Sequence, residues 1–436
     1  MRIYLDTIGC RLNQSEIEQM ARQFRAAGHQ IAETAAEADL VVVNTCTVTS
    51  AAASDSRQKI RQAARTGHAS IAVTGCWATL QPEEARMLPG VAWVISNADK
   101  QRLVSSVLGI EPQSFDLEPL AREPLPGLHQ RTRAFIKVQD GCDNFCTFCI
   151  TRIARGKGRS EPLRRVIEEI HSAVAGGARE VVLSGVHLGS WGQDFTPPLH
   201  LRHLIEAILA DTDVERVRLS SLEPWDLDEA FFRLWENSRM CRHLHLPLQS
   251  GCASTLKRMV RKTTPQQFAR LLEAARTFSP EIAITTDIIV GFPGESEDEF
   301  EESLAFVRQM KFAGGHVFSY SVREGTAAAR MKGRLHGSVI RQRNARMRAV
   351  LEESAQEYRR RFMDREAEVL WESCDEVGAQ GWRLHGLTDN YLRVEAYSAE
   401  PLWNHISRVR LTKMSPEGLS GIILNDEIKN LAQPSR

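Results

Sequence analysis

Ala134-Phe-Ile-Lys-Val-Gln139-Asp-Gly141-Cys142-Asp-Asn-Phe-Cys146-Thr-Phe-Cys149 decides the fold. Its opening residues form an extended, largely apolar run, which gives way to a glycine and three cysteines in CxxxCxxC spacing. Three thiolates on one short loop can hold three corners of a 4Fe-4S cluster and leave the fourth iron open, because loop residues at these spacings converge where a helix would spread them. The competing reading is a zinc site, which usually takes a fourth ligand in paired CxxC form. Beyond the loop, strand patterns at 180–184, 216–220, 243–248, 282–289 and 315–320 alternate with helical ones at 163–175, 199–210, 228–236, 265–278 and 297–310. Six strands alternating with helices predict a full or partial β/α barrel.

Upstream, residues 3–7, 40–44, 70–74 and 91–95 read as strands, and 54–66 as a helix. A capping-box pattern, Ser15-Glu16-Ile17-Glu18, opens another amphipathic stretch that ends near Gly28. This is the pattern of a parallel α/β domain. Cys10, Cys46 and Cys76 each fall within about three residues of a predicted strand end, and such ends share the ligand-binding edge of a parallel sheet. Each cysteine alone reads as a core thiol; together they read as a second set of three ligands. Between Ile110 and Arg133 the periodicity stops, and Pro112, Pro119, Pro124 and Pro126 mark a connecting segment and a domain boundary.

Downstream, a polar helix predicted over 338–362 carries seven arginines against three glutamates. A solvated face is one reading of it and phosphate contact the other. Short β-like pieces at 367–371, 382–387, 392–396 and 407–413 suit a small β-barrel. Cys241, Cys252 and Cys374 read as core thiols, and His187 and His245 as site-lining or core groups rather than metal ligands.

Composition limits the partners. The 436 residues are 42% hydrophobic and 25% charged, a globular balance that excludes a disordered, collagenous or coiled-coil chain. Fifty-five basic residues balance fifty-five acidic ones, so any polyanion site is local. No apolar run reaches the length of a membrane span and the amino terminus lacks a signal-peptide core, so the expected location is cytoplasmic, where nine cysteines read as ligands before disulfides.

Gly141-Cys142-Asp-Asn-Phe-Cys146-Thr-Phe-Cys149-Ile, with Ala154-Arg155-Gly156 and Arg159-Ser160, resembles the radical S-adenosylmethionine superfamily, specifically its methylthiotransferase branch. The resemblance covers nearly the whole chain. Thr7-Ile-Gly-Cys10-Arg-Leu-Asn13-Gln14, Asn44-Thr-Cys46-Thr-Val-Thr and Thr74-Gly-Cys76 are similar to that family's cluster-binding amino-terminal domain. Further likeness lies in Ser184-Gly185-Val-His187-Leu-Gly189, Ser220-Ser221-Leu-Glu223-Pro224, His245-Leu-Pro247-Leu-Gln249-Ser-Gly251 and Thr286-Asp287-Ile-Ile-Val-Gly291-Phe-Pro293. Glu161 departs from the pattern, standing where a basic residue is common after Ser160.

The resemblance implies an α/β chain of three parts: a parallel α/β sheet domain over 1–110, a partial β/α barrel over 128–360 and a TRAM-like RNA-binding β-barrel over 361–427. It implies two 4Fe-4S clusters, one on Cys142, Cys146 and Cys149 and a sulfur-carrying one on Cys10, Cys46 and Cys76, with S-adenosylmethionine as second cofactor. Barrel geometry puts Gly185, Glu223, Gln249 and Gly291 at strand ends as candidates for the S-adenosylmethionine pocket. In the last segment, Tyr391 and Trp403 are candidates to stack on unpaired bases, although core packing is the commoner role.

The implied reaction is methylthiolation of adenosine carbon-2. Gly9-Cys10-Arg11-Leu12-Asn13-Gln14 and Thr45-Cys46-Thr47-Val48-Thr49 look most like the branch acting on N6-threonylcarbamoyladenosine beside the tRNA anticodon, with Arg152 and Arg155 as candidate readers of the substrate carboxylate. The expected partners are the tRNA anticodon loop and an external electron donor, with no membrane and no DNA. Alternatives are a methylthiotransferase for isopentenyladenosine or for a ribosomal protein, and a non-catalytic iron-sulfur RNA-binding protein.

Overall fold

A computed structural model describes residues 1–65, 68–111, 132–378 and 381–424, so the proline-bearing connection at 112–131 and the segment beyond 424 lie outside the described residues. The first part is a five-stranded sheet, β1 (Arg2–Thr7), β2 (Gln30–Ile31), β3 (Leu40–Thr45), β4 (Ser70–Gly75) and β5 (Val91–Val94), all parallel in the order β2-β1-β3-β4-β5. Every residue of β3 is buried, as an apolar strand sandwiched between helical layers must be.

The helix after β1 spans Arg11–Ala26, opening with Cys10 as its N-cap, so the predicted start at Ser15 is four residues late. Ser15 and Glu16 are not capping groups. Ser15 Oγ accepts the Lys137 backbone N–H across the domain interface, and Glu16 is buried among cations. A tertiary contact has taken the residues that form the local capping pattern.

The central part comprises β6 (Arg133–Lys137), a short antiparallel pair β7 (Gln139–Asp140) and β8 (Arg159–Ser160), then β9 (Glu180–Ser184), β10 (Arg216–Leu219), β11 (His243–His245), β12 (Ala283–Val290) and β13 (Gly314–Ser319). Parallel ladders run β10-β9-β6 and β11-β12-β13, and the bridge Ser221↔His245 joins them in chain order. Of the full and partial barrels the sequence allows, the partial one forms: no ladder closes β13 onto β6 among the described residues. Capping boxes at Thr264 and Ser296 start the helices Pro265–Phe278 and Glu297–Met310 that cover the sheet.

The helix Gly337–Arg360 then leads to a closed barrel of β14 (Glu366–Glu376), β15 (Trp382–Thr388), β16 (Arg393–Ser398), β17 (Ile406–Met414) and β18 (Leu419–Ile423). Its core takes in Tyr358 from that helix, Phe362 from the turn just beyond it and Ala283 from the start of β12. The small barrel therefore docks under the amino ends of the central strands. Arg216 and Arg218 donate to carbonyls of Leu387, Thr388 and Asp389, and Arg242 pairs with Asp389.

Tyr391 lies in this junction, stacked on His243 at 4.1 Å and 9° with its hydroxyl accepting from Arg11 Nη2. The expectation that Tyr391 stacks on RNA bases is corrected: its ring packs between the parts of the protein. Trp403 is half-buried.

Candidate functional site

β1, β3 and β4 are adjacent, so parallel pairing carries Cys10, Cys46 and Cys76 to one sheet edge. Cys10 is exposed, whereas Cys46 and Cys76 are buried. Burial pushes the Cys46 thiol up to about 11, and the nearby Cys10 and Cys76 push the same way. Gly9 has φ +102°, and a Cβ there would lie 2.5 Å from Cys46 Sγ, so the approach of the first two cysteines requires glycine. Thr7 Oγ1, Gln14 Nε2, Thr74 Oγ1 and Asn97 Oδ1 are buried without a partner among the described residues, as groups facing a polar ligand would be.

The second set follows β7. Gly141 has φ +71°, and a Cβ there would lie 1.9 Å from the Lys157 carbonyl oxygen, so only glycine lets the loop turn beside Lys157. The Cys142 N–H donates to Gly156 O (3.1 Å), and Thr147 Oγ1 donates to Arg258 O (2.9 Å), closing the loop over the carboxyl ends of the strands.

Arg261 lies 3.8 Å from Cys146 Sγ and over the Trp225 ring at 4.5 Å, and it pairs with Glu223 at 2.6 Å. Burial opposes charge on His187, yet its hydrogen bonds with Asp226 and Cys142 outweigh that and raise its pKa to about 10. His245 faces Asp287 at 3.3 Å. Ser220 Oγ, Trp225 Nε1, Arg261 Nε, Asp287 Oδ1 and Tyr320 OH are buried around this mouth without a partner among the described residues.

Of the pocket candidates, Glu223 is engaged by Arg261 and so acts with it. Gly185 follows β9, where a Cβ would meet Gln139 at 3.1 Å. Gln249 has φ +73°, and its backbone bonds both Asp287 and Ile289 of β12. The bare Cα of Gly291 admits Ile340 of the long helix, 2.6 Å from where a Cβ would stand. Sequence reasoning missed Trp225, Asp226 and Arg261. Trp225 and Asp226 directly follow the Glu223-Pro224 pair and were within reach of a longer motif, whereas Arg261 carries no local signal.

The two cysteine sets are joined by side chains. Asn97 Nδ2 donates to Ala154 O (2.9 Å) and lies 3.6 Å from Cys76 Sγ. Arg155, on the helix Thr151–Arg155 that follows the cysteine loop, bonds Asn13, Glu16 and Asp140 at 2.6–2.9 Å. Lys100 and Lys137 complete this buried group. Burial opposes ionisation of Glu16, but Lys100 and Arg155 hold it well below the usual carboxylate range. Arg155 as a reader of the substrate carboxylate is therefore corrected: it is 3% exposed, and both terminal nitrogens of its guanidinium are engaged within the protein. Arg152 remains at the mouth, 3.9 Å over the ring of Phe145, which is 65% exposed. Cys241 is buried beside Glu180 and Cys252 beside Ser254 and Glu302, and Cys374 packs in the small barrel.

Residues 2–96 match the model of Uncharacterized protein family UPF0004, and residues 136–307 that of the Radical SAM superfamily. The chain is 36% identical over 436 residues to the threonylcarbamoyladenosine tRNA methylthiotransferase of Bacillus subtilis, covering 97% of each. To the like-named protein of Thermotoga maritima it is 35% identical, covering 96% of each. It is 33% identical to the tRNA-2-methylthio-N(6)-dimethylallyladenosine synthase of Geobacter metallireducens, over 96% of this chain and 97% of that one. Among solved structures, the radical S-adenosylmethionine methyltransferase TsrM of Kitasatospora setae superposes with TM-score 0.56 at 16% identity, covering 75% of this chain and 77% of that one, which shows shared fold alone. Full-length identity of this order, carried by both cysteine-bearing parts, places the chain in the radical S-adenosylmethionine methylthiotransferase family.

Proposed function

We propose that this protein replaces the carbon-2 hydrogen of N6-threonylcarbamoyladenosine in the tRNA anticodon loop with a methylthio group. The observation that carries the reading is the pairing of two three-cysteine sets at strand ends, linked through Asn97 and Arg155. Among the described residues no three Cys, His, Asp or Glu side chains close on one ion, whereas a cubane presents its irons at separate corners. Cys142, Cys146 and Cys149 would hold one 4Fe-4S cluster, and Cys10, Cys46 and Cys76 the other. When bound, these groups with S-adenosylmethionine supply the electron, the hydrogen-abstracting adenosyl radical, the sulfur and the methyl group, while an external donor supplies reducing equivalents.

The chain's own part is positioning. Arg261 with Glu223, Asp287, and the unpartnered Ser220 and Trp225 groups offer donors and acceptors to the amino, carboxylate and ribose groups of S-adenosylmethionine, beside Gly185, Gln249 and Gly291. Arg152 is placed to read the threonylcarbamoyl carboxylate, for which an arginine fork is the fitting partner.

The experiment offers reduced, reconstituted enzyme matched anticodon-loop RNAs carrying threonylcarbamoyl, isopentenyl or no N6 group. Methylthio product is expected from the first. Preferential turnover of the isopentenyl RNA rejects the substrate and keeps the chemistry, and Arg152→Ala should lower discrimination against unmodified adenosine.

A further inference from the structure

The edge strand β13 ends the partial barrel, pairing only with β12 among the described residues. Between it and the helix Gly337–Arg360 runs a groove of about 850 Å³. Register pairs Asp287 with His316 and Ile289 with Phe318, so His316 and Phe318 stand on the sheet face that carries Asp287, facing the central mouth. Both are exposed, and their rings lie 6.2 Å apart.

Across the groove, Arg341 and Arg348 are seven residues apart and so share one helix face, with Asn344 between them. Three other arginines of the helix are neutralised: Arg343 and Arg346 pair with Glu295, Glu297 and Glu301, and Arg359 with Glu352. Arg341 and Arg348 are exposed and have no acidic partner among the described residues. Glu352, the acidic side chain in the lining, is the one that Arg359 engages.

The helix covers the other face of β13, where Ser319 Oγ accepts from Asn344 and Gly315 meets Leu351, so the two exposed rings and the two unneutralised guanidinium groups lie on opposite sides of the edge strand. A single-stranded nucleic acid crossing that edge sets its phosphates on the cations and its bases on the rings. We infer that this groove binds the substrate RNA strand flanking the target nucleoside, Arg341 and Arg348 holding phosphates while His316 and Phe318 stack bases, and so leads that nucleoside in at the unclosed side of the barrel. This rests on the tRNA reading above. The track extends that site along the edge of the barrel, where neither cysteine set reaches.

The test measures binding of a threonylcarbamoyl-bearing anticodon stem-loop RNA to the reconstituted full chain across a salt series. R341Q/R348Q should bind more weakly, with the slope of log affinity against log salt smaller by about 0.7 for each single-strand phosphate that is no longer neutralised. R341K/R348K, which keeps the charges, should restore most of the slope. F318A should bind roughly tenfold more weakly with the slope unchanged. Cleavage of S-adenosylmethionine without RNA should be equal in wild type and R341Q/R348Q, showing intact folding and cluster loading.

Unchanged affinity and slope in R341Q/R348Q, with wild-type turnover intact, overturns the groove and leaves the function standing. A groove-dependent slope without methylthio product in the wild type leaves the groove standing and overturns the function.

Discussion

Arg155 shows how one buried side chain can hold a two-centre site together. It grows from the helix behind one cysteine loop and bonds Asn13 and Glu16 in the helix behind Cys10, so any shift between the two cysteine sets must strain it. Removing one partner of a buried ionic group typically costs about 3–5 kcal/mol, because the remaining charges are left without a counter-ion. Arg155→Met should therefore lower the unfolding midpoint measurably, and product formation should fall more than S-adenosylmethionine cleavage. Equal loss of the two activities would show that Arg155 supports only the fold. The cysteines give a sharper test. Alanine at Cys142, Cys146 and Cys149 should halve the iron and abolish deoxyadenosine formation; at Cys10, Cys46 and Cys76 it should halve the iron, keep deoxyadenosine and remove the methylthio product. Alanine at Cys241, Cys252 and Cys374 should leave iron unchanged.

At the scale of elements, the parallel strands and their helices were legible because a buried strand needs an unbroken apolar run and a covering helix an apolar stripe. The strand-end cysteines were legible for the same reason, since periodicity locates the ends. What escaped depends on tertiary contact. Strand β18, Leu-Ser-Gly-Ile-Ile, has no alternation, because Gly421 lies where a Cβ would meet Val409 at 2.4 Å and the β17 register shifts nearby. Arg261 reaches Cys146 from a turn 115 residues away in sequence, a distance no local pattern spans. The cysteine loop itself depends on backbone shape: Gly141→Ala places a methyl against the Lys157 carbonyl at a left-handed φ. That variant should retain the amino-terminal cluster and lose the barrel cluster, read as half the iron with no deoxyadenosine. Full iron loading would show that the loop accommodates the methyl.

At the scale of the whole molecule, the three parts meet at one point. Arg11 from the first part, His243 and Arg218 from the second and Tyr391 from the third form a single packed group under the central strands. Burial, then the charges of Arg218, His245, Arg11 and Arg133, hold His243 well below its ordinary pKa, so it stacks on Tyr391 as the neutral ring. Unfolding returns it to a value near 6.5, so the unfolded chain binds the extra proton first. Its contribution to stability is thus complete above about pH 6.5 and is lost as pH falls from there toward the depressed folded value, at up to about 1.4 kcal/mol per pH unit. His243→Phe keeps a ring for Tyr391 and removes the titration, while Thr285 Oγ1 retains His245 as a partner. Denaturant unfolding at pH 7.5 and 5.5 should show the wild type losing more stability than the variant over that interval, the difference coming from the junction alone. Identical pH dependence in the two proteins would mean that His243 takes up its proton equally readily in the folded and unfolded chain, and the stacked junction would then require a different account.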